Sequence, residues 1–160
     1  TRATGVPEQS AAHGVRWRGR RGNSSMCDSV VQLMPTLDDN KRNVQSFYDL
    51  MFNQNRPAEA IERFAGSEYR QHNPHVGDGK RAFIEYFERM AEEYPGKHVE
   101  FVRSVAEDDM VVLHCRQLWP GDEVYAGIDI FRLDVDGKVV EHWDVLQLVP
   151  SASNNDNGMF

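Results

Sequence analysis

The hydrophobic pattern of this chain changes from a helical period to a two-residue period at His98. Apolar residues recur at helical spacing in segments before that point, whereas polar and apolar residues alternate after it. Turn-forming residues divide the second part into four predicted strands: 98–107, 110–119, 124–134 and 138–149. Helices followed by strands are typical of an α+β fold, with the helices on one face of an antiparallel sheet.

Three helices are predicted ahead of the sheet. The first begins at Asp38 and Asp39 and ends near residues 53–55, because acidic residues favour a helix start. The second opens at Pro57, and the third follows the loop 75–79 and ends at Pro95-Gly96. Residues 69–74 are predicted to be extended. The apolar stripes are Val44, Phe47, Tyr48 and Met51 in the first helix and Phe83, Ile84, Phe87, Met90, Ala91 and Tyr94 in the third.

Charge and composition bound the domain and its partners. Residues 1–35 carry a net charge of +3 and show no structural period, so we interpret them as a leader or tail. The domain is expected over 36–150, with 151–160 as a C-terminal tail. The total charge of −7 argues against a nucleic-acid partner, and no apolar run is long enough to span a membrane. Two cysteines form no disulfide framework, which fits a cytoplasmic protein.

The Asp136-Gly137 turn predicts which residues face each other on the last two strands. A two-residue turn places Asp129 opposite Asp144, while a three-residue loop with a glycine bulge would place Asp129 opposite Trp143. The first register is favoured because it also brings together an ion pair and several apolar pairs. Its other pairs are Phe131 with His142, Leu133 with Val140, Arg132 with Glu141, Ile130 with Trp143 and Ile128 with Val145.

The preceding turn, at residues 120–122, decides which face His114 joins. An even-numbered loop places His114 on the same face as Asp129, His142 and Asp144, beside Val112, Phe131, Leu133 and Val140. The opposite face then carries Leu113, Cys115, Ile128, Ile130, Trp143 and Val145. Because three helices can cover only one face, we expect a homodimer through Ile130, Trp143 and Val145.

Two opposed carboxylates beneath helices suggest acid/base chemistry. Burial and mutual repulsion would separate the pKa values of Asp129 and Asp144, and His114 or His142 could relay protons or stabilise an oxyanion. Alternatively, these polar residues face water and the helices cover Ile130 and Trp143 instead. The chain contains no metal-ligand spacing, nucleophile motif or phosphate-binding glycine loop, so neither a metal nor a cofactor is expected.

Three segments together resemble a known family: Tyr69-Arg-Gln-His-Asn-Pro74, Gly127-Ile-Asp-Ile-Phe-Arg132 and Asp136-Gly-Lys-Val-Val-Glu-His-Trp-Asp144. Their order and spacing are similar to the SnoaL-like polyketide cyclases of the NTF2-like superfamily, and also to ketosteroid isomerases. The resemblance implies a cone, in which a curved sheet wraps around the helices and encloses a deep apolar pocket. It also implies frequent dimerisation through the convex face.

The resemblance implies roles for particular residues. Asp129 matches the acid/base aspartate of the cyclases, His114 matches a histidine on the neighbouring strand, and Tyr48 matches a tyrosine of the isomerases. The isomerase base is replaced here by Asn73, which moves proton transfer to His72, Asp129 or Asp144. Epoxide hydrolases of this fold use an Arg-x-Asp step that is absent here, since Gly127 stands in its place.

We therefore expect a cofactor-independent enzyme that acts on a small hydrophobic carbonyl compound by aldol cyclisation or isomerisation. Asp129 would move the proton next to the carbonyl, and His114 or His72 would stabilise the enolate. The alternatives are a non-catalytic binding module for a hydrophobic ligand and an epoxide hydrolase. The residues expected to bind substrate are Tyr48, Asn73, Phe87, Phe131 and His142.

Overall fold

The structure is a computed structural model that describes residues 34–121 and 123–160. The predicted leader lies almost entirely outside the described residues. The helices are α1 (Leu37–Tyr48), which continues into a π-helical turn (Asp49–Asn53), α2 (Pro57–Phe64) and α3 (Gly79–Glu93). The strands are β1 (Ala65–Gln71), β2 (His98–Glu107), β3 (Met110–Trp119), β4 (Glu123–Leu133) and β5 (Val139–Leu148).

Helix α1 begins where the acidic residues predict it. Thr36 is the N-cap residue: its hydroxyl accepts a hydrogen bond from the backbone N–H of Asp39 at 3.1 Å. The Asp39 carboxylate accepts one in return from the backbone N–H of Thr36 at 2.9 Å. This capping box satisfies two otherwise unpaired donors at the helix start. It directs the apolar stripe, which includes the buried Phe47 and Tyr48, toward the sheet.

The five strands form one curved, open sheet in the order β1-β5-β4-β3-β2. The predicted α+β fold is confirmed, and the four predicted strands agree with β2 to β5 to within about one residue. The sheet is not wholly antiparallel, however, because β1 pairs with β5 in parallel. This pairing brings Gln71 beside His142 across a long stretch of chain, which no local pattern indicates.

The predicted β4–β5 register is confirmed over the strands and wrong at the turn. Asp129 lies opposite Asp144, and Phe131 lies opposite His142. Leu133, however, pairs with Val139 rather than Val140, because the register shifts after Arg132. The loop is wider than two residues: the carboxylate of Asp134 accepts hydrogen bonds from the backbone N–H groups of residues 136 and 138.

The predicted β3–β4 pairing is wrong, and the error moves His114 to the other face. Three residues lie between the paired Trp119 and Glu123, so the loop is odd-numbered. Gly121 has φ +98°, a backbone conformation that favours glycine. As a result, Leu113 lies opposite Asp129 and His114 lies opposite Ile128. The predicted faces therefore change at Leu113 and Cys115, which join Asp129, and at Val112 and His114, which leave it.

The helices cover the sheet face that carries Asp129, which we call the inner face. Its strand residues are buried: Val111, Leu113, Cys115, Gln117, Asp129, Phe131 and Leu133. The ring of Phe131 packs edge-on against Phe47 and Tyr48 of α1, with centroids 6.2 and 6.0 Å away. The alternative, in which Asp129 and its polar neighbours face water and the helices cover Ile130 and Trp143, is thus wrong.

The opposite, outer face carries half-buried and exposed apolar side chains, among them Ile128, Ile130, Trp143 and Val145. Residues 151–160 form no helix or strand, and Phe160 contacts this face. The ring of Phe160 stacks on His114 at 5.8 Å between centroids and lies 5.9 Å from the guanidinium carbon of Arg116. Within the described residues, no helix has the length and apolar character needed to cross a membrane.

Candidate active site

Asp129 lies at the centre of a buried polar cluster on the inner face. Its side chain is completely buried. The hydroxyl of Tyr48, on α1, donates a hydrogen bond to Oδ1 at 3.0 Å, and Nε2 of His142 lies 3.3 Å from the same oxygen. Oδ2 has no hydrogen-bond partner among the described residues. A buried carboxylate with one oxygen left unpaired is costly for the fold, which is typical of functional sites.

Gln117 connects Tyr48 to the neighbouring strand. Its Nε2 donates to the Tyr48 hydroxyl at 2.9 Å, and its Oε1 accepts a hydrogen bond from the indole N–H of Trp119 at 3.3 Å. Burial, together with the negative charge of Asp129, raises the pKa of Tyr48 well above its usual value. Tyr48 therefore acts as a neutral hydrogen-bond donor at physiological pH rather than as a base.

His142 is fixed from two sides. Its ring packs on Phe131 at 4.6 Å between centroids, and its Nδ1 lies 2.9 Å from Oε1 of Gln71. Gln71 reaches this position because β1 and β5 pair in parallel, with the two residues side by side. The backbone N–H groups of His72 and Asn73 also donate to Gln71 Oε1, at 3.0 and 3.1 Å. The orientation of the imidazole therefore follows from the strand pairing.

Asp144 is the second carboxylate of the cluster, and it is the one that reaches open space. The amide Nδ2 of Asn73 donates to its Oδ2 at 2.7 Å. Burial raises the pKa of the carboxyl, an effect opposed by His142 and by the Asn73 hydrogen bond. A carboxylate with a raised pKa is a stronger base than an ordinary surface aspartate, which suits it to accept a proton near neutral pH.

Two cavities meet at Asn73 and Asp144. The larger, of about 590 Å³, is lined mostly by aromatic and apolar groups that include Tyr86, Met90 and Trp119. The smaller, of about 20 Å³, lies among Tyr48, Gln71, Phe83, Phe87, His142 and neighbouring residues. Asn73 and Asp144 line both cavities, whereas Asp129 lines neither. A ligand in the larger cavity would thus meet Asp144 first.

The structure brings together most of the residues that the sequence singles out. Asp129, Asp144, Tyr48, Asn73, His142 and Phe131 form the cluster or contact it directly, and Phe87 lines the small cavity.

His114 and His72 are not part of the cluster. The odd-numbered loop places His114 on the outer face, where Nδ1 lies 2.8 Å from a guanidinium nitrogen of Arg103. His72 also points outward: its Nε2 lies 2.8 Å from Oε1 of Glu141, and its ring stacks on Trp143 at 4.7 Å. The expectation that either histidine stabilises an enolate in the pocket is therefore wrong, because both lie on the other side of the sheet.

Gln71 and Gln117 are members of the cluster that sequence reasoning missed. Gln117 follows Leu113 and Cys115 at a spacing of two residues, so strand alternation alone would have placed it on their face. Gln71 carries no comparable signal, since its position depends on the parallel pairing of β1 with β5.

Asp129, His142 and Asp144 each offer one potential ligand atom, and these atoms lie within 4.8 Å of one another. Three such groups at this spacing could hold a metal ion. In this structure, however, Tyr48, Gln71 and Asn73 donate to or accept hydrogen bonds from the same three side chains. The hydrogen-bond network by itself accounts for their positions.

A family model described as the SnoaL-like domain matches residues 44–142, more than half of the chain. The chain therefore belongs to the SnoaL-like family, and its fold is that of the NTF2-like superfamily. The predicted resemblance is confirmed. No curated protein matches the chain.

Solved structures agree in fold at low sequence identity. TsrD from Streptomyces laurentii is 21% identical, with a TM-score of 0.55 over 66% of this chain and 89% of that protein. IdmH from Streptomyces antibioticus, a proposed polyketide cyclase, is 14% identical, with a TM-score of 0.57 over 67% and 91%. An LEH-like epoxide hydrolase from M. tuberculosis is 18% identical, with a TM-score of 0.57 over 68% and 82%. At these identities the similarity establishes the fold alone.

Proposed function

We propose that this protein is a cofactor-independent acid/base enzyme that forms an enolate from a small hydrophobic carbonyl compound. The observation that carries the proposal is Asp144, a carboxylate with a raised pKa that lines a largely aromatic cavity of about 590 Å³. The SnoaL-like family and neighbours such as the proposed cyclase IdmH support the same class of reaction. Cys115, the one cysteine among the described residues, is a buried free thiol. A free thiol fits the proposed cytoplasmic location, because disulfides are rare in that compartment.

In the proposed reaction, Asp144 removes the proton from the carbon next to the carbonyl group. The electron pair of the C–H bond forms a carbon–carbon double bond, and the π electrons of the carbonyl group move to its oxygen, which gives an enolate. In an aldol cyclisation, the enolate carbon then attacks a second carbonyl group, and Asp144 returns its proton to the alkoxide that forms. In an isomerisation, Asp144 returns its proton to another carbon of the conjugated enolate. Asn73 holds Oδ2 of Asp144 at 2.7 Å, which leaves Oδ1 for the substrate.

The proposed base is therefore Asp144, and not Asp129 as the sequence predicts. Asp129 is completely buried and lines neither cavity, so a substrate could contact it only after the site rearranges. Its contacts with Tyr48 and His142 instead suit it to hold the polar cluster next to Asp144 in place. Tyr86 and Tyr94 line the larger cavity, and the tyrosine hydroxyl is a donor of the kind that stabilises an oxyanion.

The test measures enolate formation directly. The α-protons of 1-indanone and 1-tetralone, two compact hydrophobic ketones, are followed by proton NMR in D₂O at pH 7. The wild-type protein should accelerate exchange over buffer, and Asp144→Asn should reduce the protein-dependent rate by about 10²-fold or more. Glu100→Gln is the matched control, because Glu100 pairs with Arg116 on β2 and β3, outside both cavities. Ketone binding without accelerated exchange would favour the non-catalytic binding module.

A second candidate function is hydration of an epoxide. The cavity of about 20 Å³ next to Asp144 and His142 has room for one water molecule and offers polar partners to hold it. The similarity to an LEH-like epoxide hydrolase supports this alternative. Incubation of styrene oxide with the protein in H₂¹⁸O separates the two functions, because hydration would yield a diol that contains ¹⁸O while ketone exchange stays at the buffer rate.

A further inference from the structure

The larger cavity lies between α3 and the inner face of the sheet. Tyr86, Met90 and Tyr94 follow one another at intervals of four residues, so they lie on one side of α3 and its C-terminal end. Strand alternation places Trp119 and Tyr125 on the inner face, where both line the same cavity. We call Tyr86, Tyr94, Trp119 and Tyr125 the aromatic wall. None of the four is fully buried, and aromatic rings bind cations through the negative face of their π systems.

Glu123 adds a carboxylate to the aromatic wall. It lines the cavity, lies opposite Trp119 in the β3–β4 pairing, and comes two residues before Tyr125. The hydroxyl of Tyr125 donates to its Oε2 at 3.2 Å. Within residues 34–121 and 123–160, Glu123 forms no ion pair. A negative charge that lies beside aromatic rings and has no cationic partner favours a positively charged ligand.

The described residues that line this cavity include no lysine or arginine, and their one potentially cationic member is His75. Arg89 lies next to the aromatic wall without lining the cavity. Its guanidinium carbon is 5.2 Å from the centroid of the Tyr86 ring, and it forms an ion pair with Glu93 at 3.7 Å. One ring of the wall thus already binds a cation. The total charge of −7 also favours the approach of a positively charged ligand.

We propose that the larger cavity binds a ligand with an organic ammonium group, which lies at Glu123 and the aromatic wall. Asp144 lines the same cavity but pairs with Asp129, further along β4 than Glu123. The two carboxylates can therefore contact different parts of one ligand. If the proposed function holds, on which this step rests, the substrate is an amino ketone whose carbonyl end meets Asp144. The preference for a cation does not depend on catalysis.

Ligands of other charge would use less of this cavity. An anionic ligand would meet the carboxylates of Glu123 and Asp144 and no lysine or arginine among the lining residues. A neutral ligand would pack on the aromatic wall but would gain nothing from the charge of Glu123. A cationic ligand gains from both the rings and the carboxylate.

The experiment compares two ketones of the same shape, 4-(trimethylammonio)acetophenone and 4-tert-butylacetophenone, in which a charged nitrogen replaces a carbon. Calorimetric titration of the full chain at pH 7 and low salt measures both dissociation constants. The cation should bind about tenfold more tightly or better. Equal affinities, a preference for the neutral ketone or no binding of the cation would overturn the proposal.

Exchange of the acetyl protons in D₂O is followed on the same two ketones. A preference for the cation without accelerated exchange would refute only the proposed function. Accelerated exchange of both ketones without a preference would refute only the ammonium site.

Two variants test which groups recognise the charge. Glu123→Gln removes the carboxylate and Tyr94→Leu removes a ring but keeps an apolar side chain, so each should reduce the preference about twofold to fivefold. Glu100→Gln is the control, because Glu100 pairs with Arg116 at 3.2 Å outside the cavity, and it should keep the wild-type preference. Partial unfolding weakens both ligands alike and leaves their ratio unchanged. A wild-type ratio in both Glu123→Gln and Tyr94→Leu would overturn the assignment of the site.

Discussion

Glu141 and Asp144 are the same kind of group on one strand, yet the two sides of the sheet change them in opposite directions. Glu141, on the outer side, is bound by His72 at 2.8 Å and by Nε of Arg132 at 2.8 Å. These partners, the His72 hydrogen bond first, lower its pKa. Asp144, on the inner side, has its pKa raised by burial.

The two sides of the sheet surround a carboxylate with different partners. On the outer side a carboxylate lies among three cationic or potentially cationic side chains, and its charge stabilises the native state. On the inner side the half-buried carboxylate of Asp144 has one neutral donor and one histidine nearby, and burial raises its pKa, so its charge is costly. The costly group is the one that faces the larger cavity.

The largest expected difference between the two sides is in packing. Phe131→Ala should lower the free energy of unfolding by about 3–5 kcal/mol, because the ring is buried against Phe47, Tyr48 and His142. Ile130→Ala, one residue earlier on the half-buried outer face, should cost about 1 kcal/mol or less. Urea denaturation measures both, and equal losses would contradict the assignment of the faces.

The next effect concerns the buried hydroxyl group. Tyr48→Phe should cost about 1–3 kcal/mol, because Asp129 loses a donor and the amide of Gln117 loses its acceptor. Tyr125→Phe is the control: its hydroxyl donates only to the exposed Glu123, and its loss should change stability by about 0.5 kcal/mol or less. If the two phenylalanine variants unfold alike, the hydrogen-bonded chain to Asp129 does not stabilise the fold.

The two carboxylates should give stability profiles of opposite slope. The lowered pKa of Glu141 means that its contribution is present above its usual value of 4.5 and is lost as the pH falls through the folded-state pKa. Glu141→Gln should therefore be destabilised at neutral pH and should lose less stability than wild type on acidification.

Asp144 should behave in the reverse sense. Its folded-state pKa lies above its usual value of 3.8, so the folded state retains a proton that the unfolded state has already released. The carboxyl therefore reduces stability as the pH rises through this window, and Asp144→Asn should be more stable than wild type at pH 7. Urea denaturation from pH 3 to pH 8 tests both variants, and parallel profiles would refute the comparison.

The smallest expected change in fold stability is at the outer surface, where we propose a homodimer through Ile130, Trp143 and Val145. Val145 is 71% exposed, so Val145→Lys should change the stability of the monomer by about 0.5 kcal/mol or less. It should nevertheless convert a dimer to monomers in sedimentation experiments. Leu37→Lys, on α1 and 45% exposed, lies on the helical side of the sheet and should leave the dimer intact. A wild-type protein that sediments as a monomer would refute the proposed homodimer.

A strand register could be predicted from the sequence where several local signals favour the same alignment. It could not be predicted where it depends on a single residue more or less in a loop. The β4–β5 register was predictable because the Arg132–Glu141 pair and the apolar pairs favour the same alignment, although the turn itself is wider than predicted. The β3–β4 register depends only on whether the loop is even or odd, and no side-chain pair in the sequence corrected the parity. That single error exchanged His114 for Leu113 beside Asp129.

The candidate site was predictable to the extent that it lies on β4 and β5. Asp129, His142 and Asp144 share a face by alternation and register, which the sequence contains. His72 could not be placed in this way, because its direction follows from the parallel contact between β1 and β5. The same contact brings in Gln71, which explains why the sequence missed this residue as well.

The parallel pairing of β1 with β5 also sets when the site can form during folding. Gln71 and His142 are 71 positions apart in the chain, and three antiparallel strand contacts of much shorter range lie between them. Contacts of long sequence separation close late, so the hairpins should assemble first and the β1 edge should dock last. An edge strand is also among the first elements to open in the native state. We therefore expect opening of β1 alone to release His142 from Gln71 while the rest of the sheet stays folded.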